Sequence, residues 1–413
     1  MSQKITTRVI RSEAEIEEIR PLWTGWQRHP NSDIDFYLMI HKLRPNVVRP
    51  HIILVYEDGQ PRTMLVGRIE RGQVDCSIGY KSLFAPKVQI MSFVHGGLLG
   101  DASGEAGDAI VAAILQSLEA GDADVARLHF LEADSTIFSA MRQRVGFLCR
   151  DRFPMSQRHW RIQLPATMAE LYAGLSGDHR WELKRKSKKL LAEFPAARVE
   201  CLRTPEQLER IFCDAEQIAK QTYQRGLGAG FIDSAEMRRI VELEIGQGWH
   251  RTYLLYVNEE PTAFWIGNVY GDTFHSSHLG YLTKYDKYSP GTFVMVKALE
   301  EMLSEGIKVV DFGLGDARYK QRFGNFSWEE MSIQIFAPRL RGVAVNALRT
   351  PIMGADRMAR TILQKTDAMS RVKKLWRDYR RKQTTTQPAG KSVSATKPQL
   401  AEETSGIPAA PGC

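Results

Sequence analysis

Two stretches of the chain carry the same pattern of apolar and polar positions. His51–Ile69, HIILVYEDGQPRTMLVGRI, and His250–Val269, HRTYLLYVNEEPTAFWIGNV, each read as strand, short polar turn, strand, with a proline (Pro61, Pro261) just past the turn. Runs of β-branched and aromatic residues broken by a short turn cluster are β-hairpin signatures. Each hairpin is preceded by helical segments and followed by a further strand. A helical period then appears over Glu105–Leu118 and again over Gly291–Ser304. Each of these leads into a short apolar strand, VARLHFLE (Val125–Glu132) and IKVVDFGL (Ile307–Leu314). The order β-β-β-α-β thus occurs twice, which predicts an α/β protein built by internal duplication, with halves over residues 1–161 and 162–338.

The two halves differ where that helix begins. The first starts in DASGEAGD, with Asp101, Glu105 and Asp108 crowding its first turn. Those carboxylates suit the helix dipole and would repel a phosphate. The second starts Ser289-Pro290-Gly291-Thr292-Phe293 and meets no acid until Glu300. Ser289 reads as the N-cap and Pro290 as the first helical residue, where no backbone donor is needed. Gly291 has no side chain to hold a ligand away. The N–H groups of Gly291, Thr292 and Phe293, with the dipole behind them, are expected to form an anion site, so only the second half is expected to hold a phosphorylated cofactor.

Past this helix the chain runs through Asp311-Phe312-Gly313, Gly315-Asp316 and Tyr319-Lys320. Together with Gly280-Tyr281, Asp286 and Tyr288-Ser289-Pro290-Gly291, these residues resemble the GNAT superfamily of N-acyltransferases. The resemblance is to its branch of large proteins linked to bacterial polysaccharide synthesis (CelD-type), related to the FemABX-type peptidoglycan aminoacyltransferases. It extends loosely from Leu164 to Pro338 and implies two tandem GNAT-like halves, the first without cofactor. Acyl-CoA, acetyl-CoA above all, is the implied co-substrate, with no metal.

Composition is ordinary for a globular protein: 413 residues, 43% hydrophobic and 25% charged. Five cysteines (Cys76, Cys149, Cys201, Cys213, Cys413) share no CxxC or metal-ligand spacing and read as buried thiols of a reducing compartment. The first twenty residues contain no apolar core that would make a signal peptide, and no apolar run is long enough to span a bilayer, so a cytoplasmic protein is expected. The net charge of +8 is local. Thirteen Lys and Arg against three Asp fall between Arg339 and Lys382, leaving the body before them slightly acidic. A basic helical extension is therefore expected over 339–384, either packed back on the body or in peripheral contact with an anionic membrane. The Thr/Pro/Ala/Gly-rich stretch 385–413 is expected to be disordered.

Acyl transfer from a thioester to an amine needs a grip on the carrier, a base for the amine's proton, an oxyanion donor, and an acid for the departing thiolate. By the resemblance, Tyr319 is the general-acid candidate, with packing against Phe323 as its bland alternative. Lys320 faces either an anionic group or solvent. Asp311 ends an apolar strand, and a buried carboxylate must be paired or functional. His275, His278 and Asp286 are candidates for the base, and the resemblance favours Asp286. His275 and His278 are an odd number of residues apart, so a regular strand would point them to opposite faces. Six Lys and Arg in DHRWELKRKSKK (Asp178–Lys189) read as a solvated helix face, or else as a rim guiding an anionic acceptor or the phosphates of the cofactor. No Walker loop, GxSxG elbow, HExxH or zinc spacing is present, which removes the commonest hydrolase and NTPase classes. The expected activity is transfer of an acyl group to an amine, on a small molecule or a glycan precursor. A FemABX-like use of aminoacyl-tRNA and a non-catalytic assembly protein are the alternatives, and no other nucleic acid is expected.

Overall fold

The computed structural model describes residues 4–79, 81–222, 225 and 230–365. Its strands are β1 (Ile5–Ile10), β2 (Val47–Pro50), β3 (Ile52–Glu57), β4 (Gln60–Gln73), β5 (Cys76–Ile78), β6 (Lys81–Phe84), β7 (Lys87–Gly100) and β8 (Val125–Glu132), then β9 (Met155–Gln163), β10 (Arg198–Leu202), β11 (His250–Val257), β12 (Glu260–Tyr270), β13 (Thr273–Tyr281), β14 (Val309–Leu314) and β15 (Phe326–Phe336). Among the described residues they fall into two compact units, 4–156 with 329–365, and 157–328.

In the first unit the strand order is β1-β3-β4-β7-β8-β15, with β2 paired to β4. The β3–β4 turn is Asp58-Gly59, both at positive φ, which matches the right-handed twist of a two-residue hairpin. Helix Glu105–Ala120 lays Ile110, Val111, Ile114 and Leu118 on one face of the sheet, where Met91, Phe93, Ala126 and Leu128 complete the core. Trp23, Ile34 and Tyr37 from short N-terminal helices pack with Ile52, Leu54 and Met64 on alternate strand positions, making a second core.

The second unit repeats the plan in the order β9-β14-β13-β12-β11-β10. Helix Pro290–Ser304 buries Phe293, Val294, Val296, Ala298, Leu299 and Met302 with Trp265, Phe274 and Val310. A separate core gathers Ile211, Phe212 and Ile218 of helix Leu208–Ala219 with Leu254, Phe264 and Ile266, the other parity of the same strands. Both units therefore carry a sheet with helices on both faces, as the repeated pattern predicts.

The division is not the contiguous one expected from the sequence. β15 follows the second unit in the chain but pairs antiparallel with β8, from Glu330 opposite Glu132 to Phe336 opposite Val125. β9, which follows the first unit, pairs with β14 from Gln163–Val309 to His159–Leu314. Each unit is closed by the strand that a simple cut at 161 and 338 would assign to its sister. The local apolar pattern is the same for either partner, so the pattern could not choose between them.

Of the two expectations for the basic extension, its described part follows the first. Residues Leu340–Lys365 form one helix that belongs to the first unit. Val345 is buried, Asn346 donates to the Leu148 and Arg150 carbonyls, and Arg349 forms a buried 2.7 Å ion pair with Asp151. Farther along, Asp356 accepts from the Gly79 N–H. Such anchoring is packing back on the body. The remainder of the extension, and the segment 385–413, lie outside the described residues. Among those described, no helix is long and apolar enough to cross a membrane.

Candidate active site

The site begins where two parallel strands part. β13 and β14 pair only from Thr273–Val309 to His275–Asp311. Beyond these three rungs β13 runs on to Tyr281 along β12, while β14 turns toward β9 through an irregularity at Asp311/Gly313, with Gly313 at φ 68°. Among the described strands, none pairs with the β13 edge from Ser276 to Gly280 on its β14 side. Two helices begin beyond the parting strands: Pro290–Ser304, reached from β13 by the 3-10 turn Thr283–Tyr288, and the short Arg318–Phe323, reached from β14.

At the first of these, Ser289 does not cap with its side chain. Its backbone is left-handed, φ 54° and ψ 58°, a conformation that costs a non-glycine residue about 1–2 kcal/mol. The carbonyl of Ser289 instead accepts from both Thr292 N–H and Phe293 N–H at 3.0 Å. The freed hydroxyl accepts a 2.7 Å hydrogen bond from Lys186 Nζ. This corrects two expectations. Thr292 and Phe293 have spent the N–H groups expected to hold an anion, which leaves that of Gly291, and the positive charge at the helix start comes from a lysine of another helix. Gly291 itself is buried, and a Cβ there would stand 3.1 Å from the Tyr281 ring, so its lack of a side chain serves helix-to-strand packing. Pro290, as expected, sits in the first turn.

Lys186 belongs to helix Gly177–Glu193, the basic run of the sequence. Leu183, Leu190 and His179 are its buried face, and the His179 ring packs edge-on to Phe323 at 4.8 Å. Burial pushes the His179 pKa down to about 4, so it is neutral near pH 7. Lys186 also meets Glu182 at 3.2 Å, and Glu182 in turn accepts from Arg322 at 2.6 Å. These residues line a small cleft with Tyr288, Ser289 and Thr292. Lys189 and Lys287 both lie against the Tyr288 ring, 5.5 and 4.7 Å from its centroid. The run thus has one face turned into the cleft and one solvated face, with Trp181 63% exposed. Lys186, Glu182 and Arg322 were missed as site residues. The density of basic residues flagged the helix, but a one-dimensional run does not say which lysine turns inward.

Asp311, at the fork of the strands, is buried and saturated. Oδ1 accepts from His159 Nε2 at 2.5 Å and from Gly313 N–H at 2.7 Å, and Oδ2 accepts from Arg161 Nε at 2.9 Å. His275 Nδ1 stands 3.9 Å from Oδ2. Burial alone would raise its pKa, but the His159 hydrogen bond and the charges of His159, Arg161 and His275 hold the carboxyl far below the usual range. The Trp328 ring stacks on His159 at 4.2 Å and lies beneath the Arg161 guanidinium at 4.6 Å. His159 and Arg161 were not singled out from the sequence, because the pairing of β9 with β14 that delivers them is long-range.

His275 and His278 share a face of the sheet, contrary to the odd-spacing argument. The register of β13 on β12 shifts between Ser276–Gly267 and His278–Ile266, so Ser277 is an extra residue. A bulge of this kind resets the alternation. Ser276 accepts from the Trp265 indole on one face and Leu279 packs with that same core, although they are three apart. On the opposite face His275 meets Asp311, and His278 packs edge-on to Phe231 at 5.9 Å. Burial lowers the His278 pKa to about 4.

The remaining candidates separate by burial. Tyr319 is half-buried, edge-on to Phe312 of β14 with centroids 5.7 Å apart, so its packing partner is the strand at the fork. Lys320 is only 2% exposed and donates to the Leu314 carbonyl; it meets neither solvent nor an open anion site. Burial brings its amine down to about 8 against the pull of Asp311 and Asp316. Asp286 is exposed in the 3-10 turn, and its carbonyl accepts from Ser289 N–H.

Residues 177–321, which hold the parted strands, the Lys186–Ser289 contact and Asp311, match the acetyltransferase (GNAT) domain family. This segment is a GNAT domain. FemX is similar over 80% of this chain and 97% of its own, at 12% identity and a TM-score of 0.51, so the two share a fold. A tandem GNAT protein from the clavulanic acid biosynthesis pathway, solved without AcCoA, matches 81% of this chain and 99% of its own at 10% identity and a TM-score of 0.43. A conserved protein from Bacteroides thetaiotaomicron covers 80% of this chain and all of its own, at 12% identity and a TM-score of 0.47. No curated protein matches the chain.

Proposed function

We propose that the GNAT domain moves an acyl group from acyl-CoA to an amine. The observation that carries the reading is Lys186 held at the start of helix Pro290–Ser304, beside the open edge of β13. A diphosphate there would take Lys186 from Ser289, use the Gly291 N–H, and draw on Arg322. The amide-bearing arm of the carrier would add to the free β13 edge as an extra strand does, which brings the thioester toward the fork at His275 and Asp311. The amine nitrogen bonds to the thioester carbon, the C–S bond breaks, the thiolate takes a proton and the amine gives one up. Tyr319, set against the fork through Phe312, is the group for the thiolate. Neutral His275, 3.9 Å from Asp311, is the base nearest the fork, and exposed Asp286 would act from the rim.

An amino sugar of a cell-envelope polysaccharide precursor is the acceptor that the CelD-type resemblance implies. Calorimetric titration of acetyl-CoA into the full chain tests the donor. Binding that Lys186→Glu abolishes supports the reading, and no heat of binding from the wild-type protein removes it. The fold shared with FemX favours one second reading, aminoacyl transfer from tRNA. Transfer from charged tRNA by a protein that ignores acetyl-CoA would establish that reading instead.

A further inference from the structure

The first unit, which holds none of the residues above, contains a cavity of about 560 Å³, well inside the range of small-molecule sites. Phe138, Met141, Val145, Met331, Ile333 and Ile335 make its walls apolar. Three guanidiniums edge it: Arg142 in the last turn of helix Thr136–Arg144, then Arg150 and Arg152 in the following loop. Arg150 donates to the Val145 carbonyl and Arg152 to that of Phe147, and among the described residues no carboxylate pairs with any of the three. The nearby carboxylate, Asp151, is committed to Arg349, to Phe153 N–H and to Gln334 N–H. The same loop exposes Phe147 (70%) and Leu148 (61%) to solvent, with Arg152 over the Phe147 ring at 3.7 Å.

We propose that this cavity binds a single-chain anionic amphiphile, with an acyl chain along the apolar walls and a terminal carboxylate on Arg142, Arg150 and Arg152. The apolar walls take the chain, and the three guanidiniums, which no carboxylate pairs among the described residues, take the charge. Exposed Phe147 and Leu148 give such a molecule a route in from an apolar phase.

The probe is dodecanoate, titrated calorimetrically into the full-length protein, with dodecyl maltoside as a neutral-headed control of equal chain length. One-to-one binding at least about tenfold tighter than the control is expected. Ala133→Trp, at an exposed lining position, should plug the mouth, and Arg142→Glu, also exposed, should reverse the head-group preference without touching the core. Equal binding of charged and neutral probes, or affinity unchanged in Ala133→Trp and Arg142→Glu, overturns the proposal.

Discussion

Lys186 Nζ and Ser289 Oγ, 103 residues apart in the chain, meet at 2.7 Å at the start of the GNAT helix. A serine held left-handed is strained, and a lysine only a quarter exposed has given up much of its hydration. Each is stabilised by the other, and each could exchange its partner for a phosphate oxygen.

If that exchange is how the carrier is held, Lys186→Glu lowers affinity for acetyl-CoA by at least about tenfold, from loss of one charge-assisted hydrogen bond and gain of repulsion. Circular dichroism should be unchanged. Equal affinities by calorimetry would mean that the contact is a helix-to-helix tie only.

Ser289→Gly separates strain from binding. Glycine adopts φ 54° freely, so the variant should lose little stability or gain up to about 1 kcal/mol in urea unfolding. Acetyl-CoA affinity should hold or rise, because the hydroxyl that competes with phosphate for Lys186 is gone. A clear loss of stability would show that the hydroxyl matters more to the fold than the backbone does.

Lys320 predicts a pH dependence whose sign can be worked out. Its amine titrates near 8 in the folded protein and near 10.5 when free, so between those values the unfolded chain binds more protons. Stability from this residue therefore rises as pH climbs from 8 to 10.5 and is lowest at and below pH 8, by about 3 kcal/mol. Lys320→Met should be the more stable protein at pH 7, and the difference should shrink by pH 10. Urea midpoints for both proteins at pH 7, 8.5 and 10 check this; a gap independent of pH would contradict it.

Asp311→Asn leaves His159 and Arg161 with one acceptor for two donors and turns an amide N–H toward one of them. A cost of about 2–4 kcal/mol is expected at pH 7. The depressed carboxyl contributes stability above pH 4 that is lost on acidification, so the acid limb of the wild-type stability curve should flatten in the variant. Guanidinium unfolding from pH 3 to 7 reads both effects.

Much of the architecture is legible in the residues themselves. The hairpins are written by strand runs around Asp58-Gly59 and Asn258-Glu259, and the two GNAT-like halves by repetition of one local order. Local pattern fails where a choice depends on a distant partner. One extra residue, Ser277, is invisible to periodicity yet carries His278 to the face of His275. Nothing near Arg161 announces that Asp311 is its neighbour. Ser289 looks like a cap because serine often is one, and only the position of Lys186 shows why its hydroxyl turns away.

The exchanged strands constrain how the protein can be made. Synthesis proceeds from the N-terminus, so the chain up to residue 156 emerges with the β8 edge bare, and the strand that covers it arrives only after the entire GNAT domain has been translated. A chain stopped anywhere before Phe336 presents that unsatisfied edge to every neighbour, a template for pairing between molecules. Expression of either half alone should accordingly be insoluble. A rearranged gene that fuses residues 329–365 behind residue 156 through a flexible linker should release the first unit as an independent soluble protein.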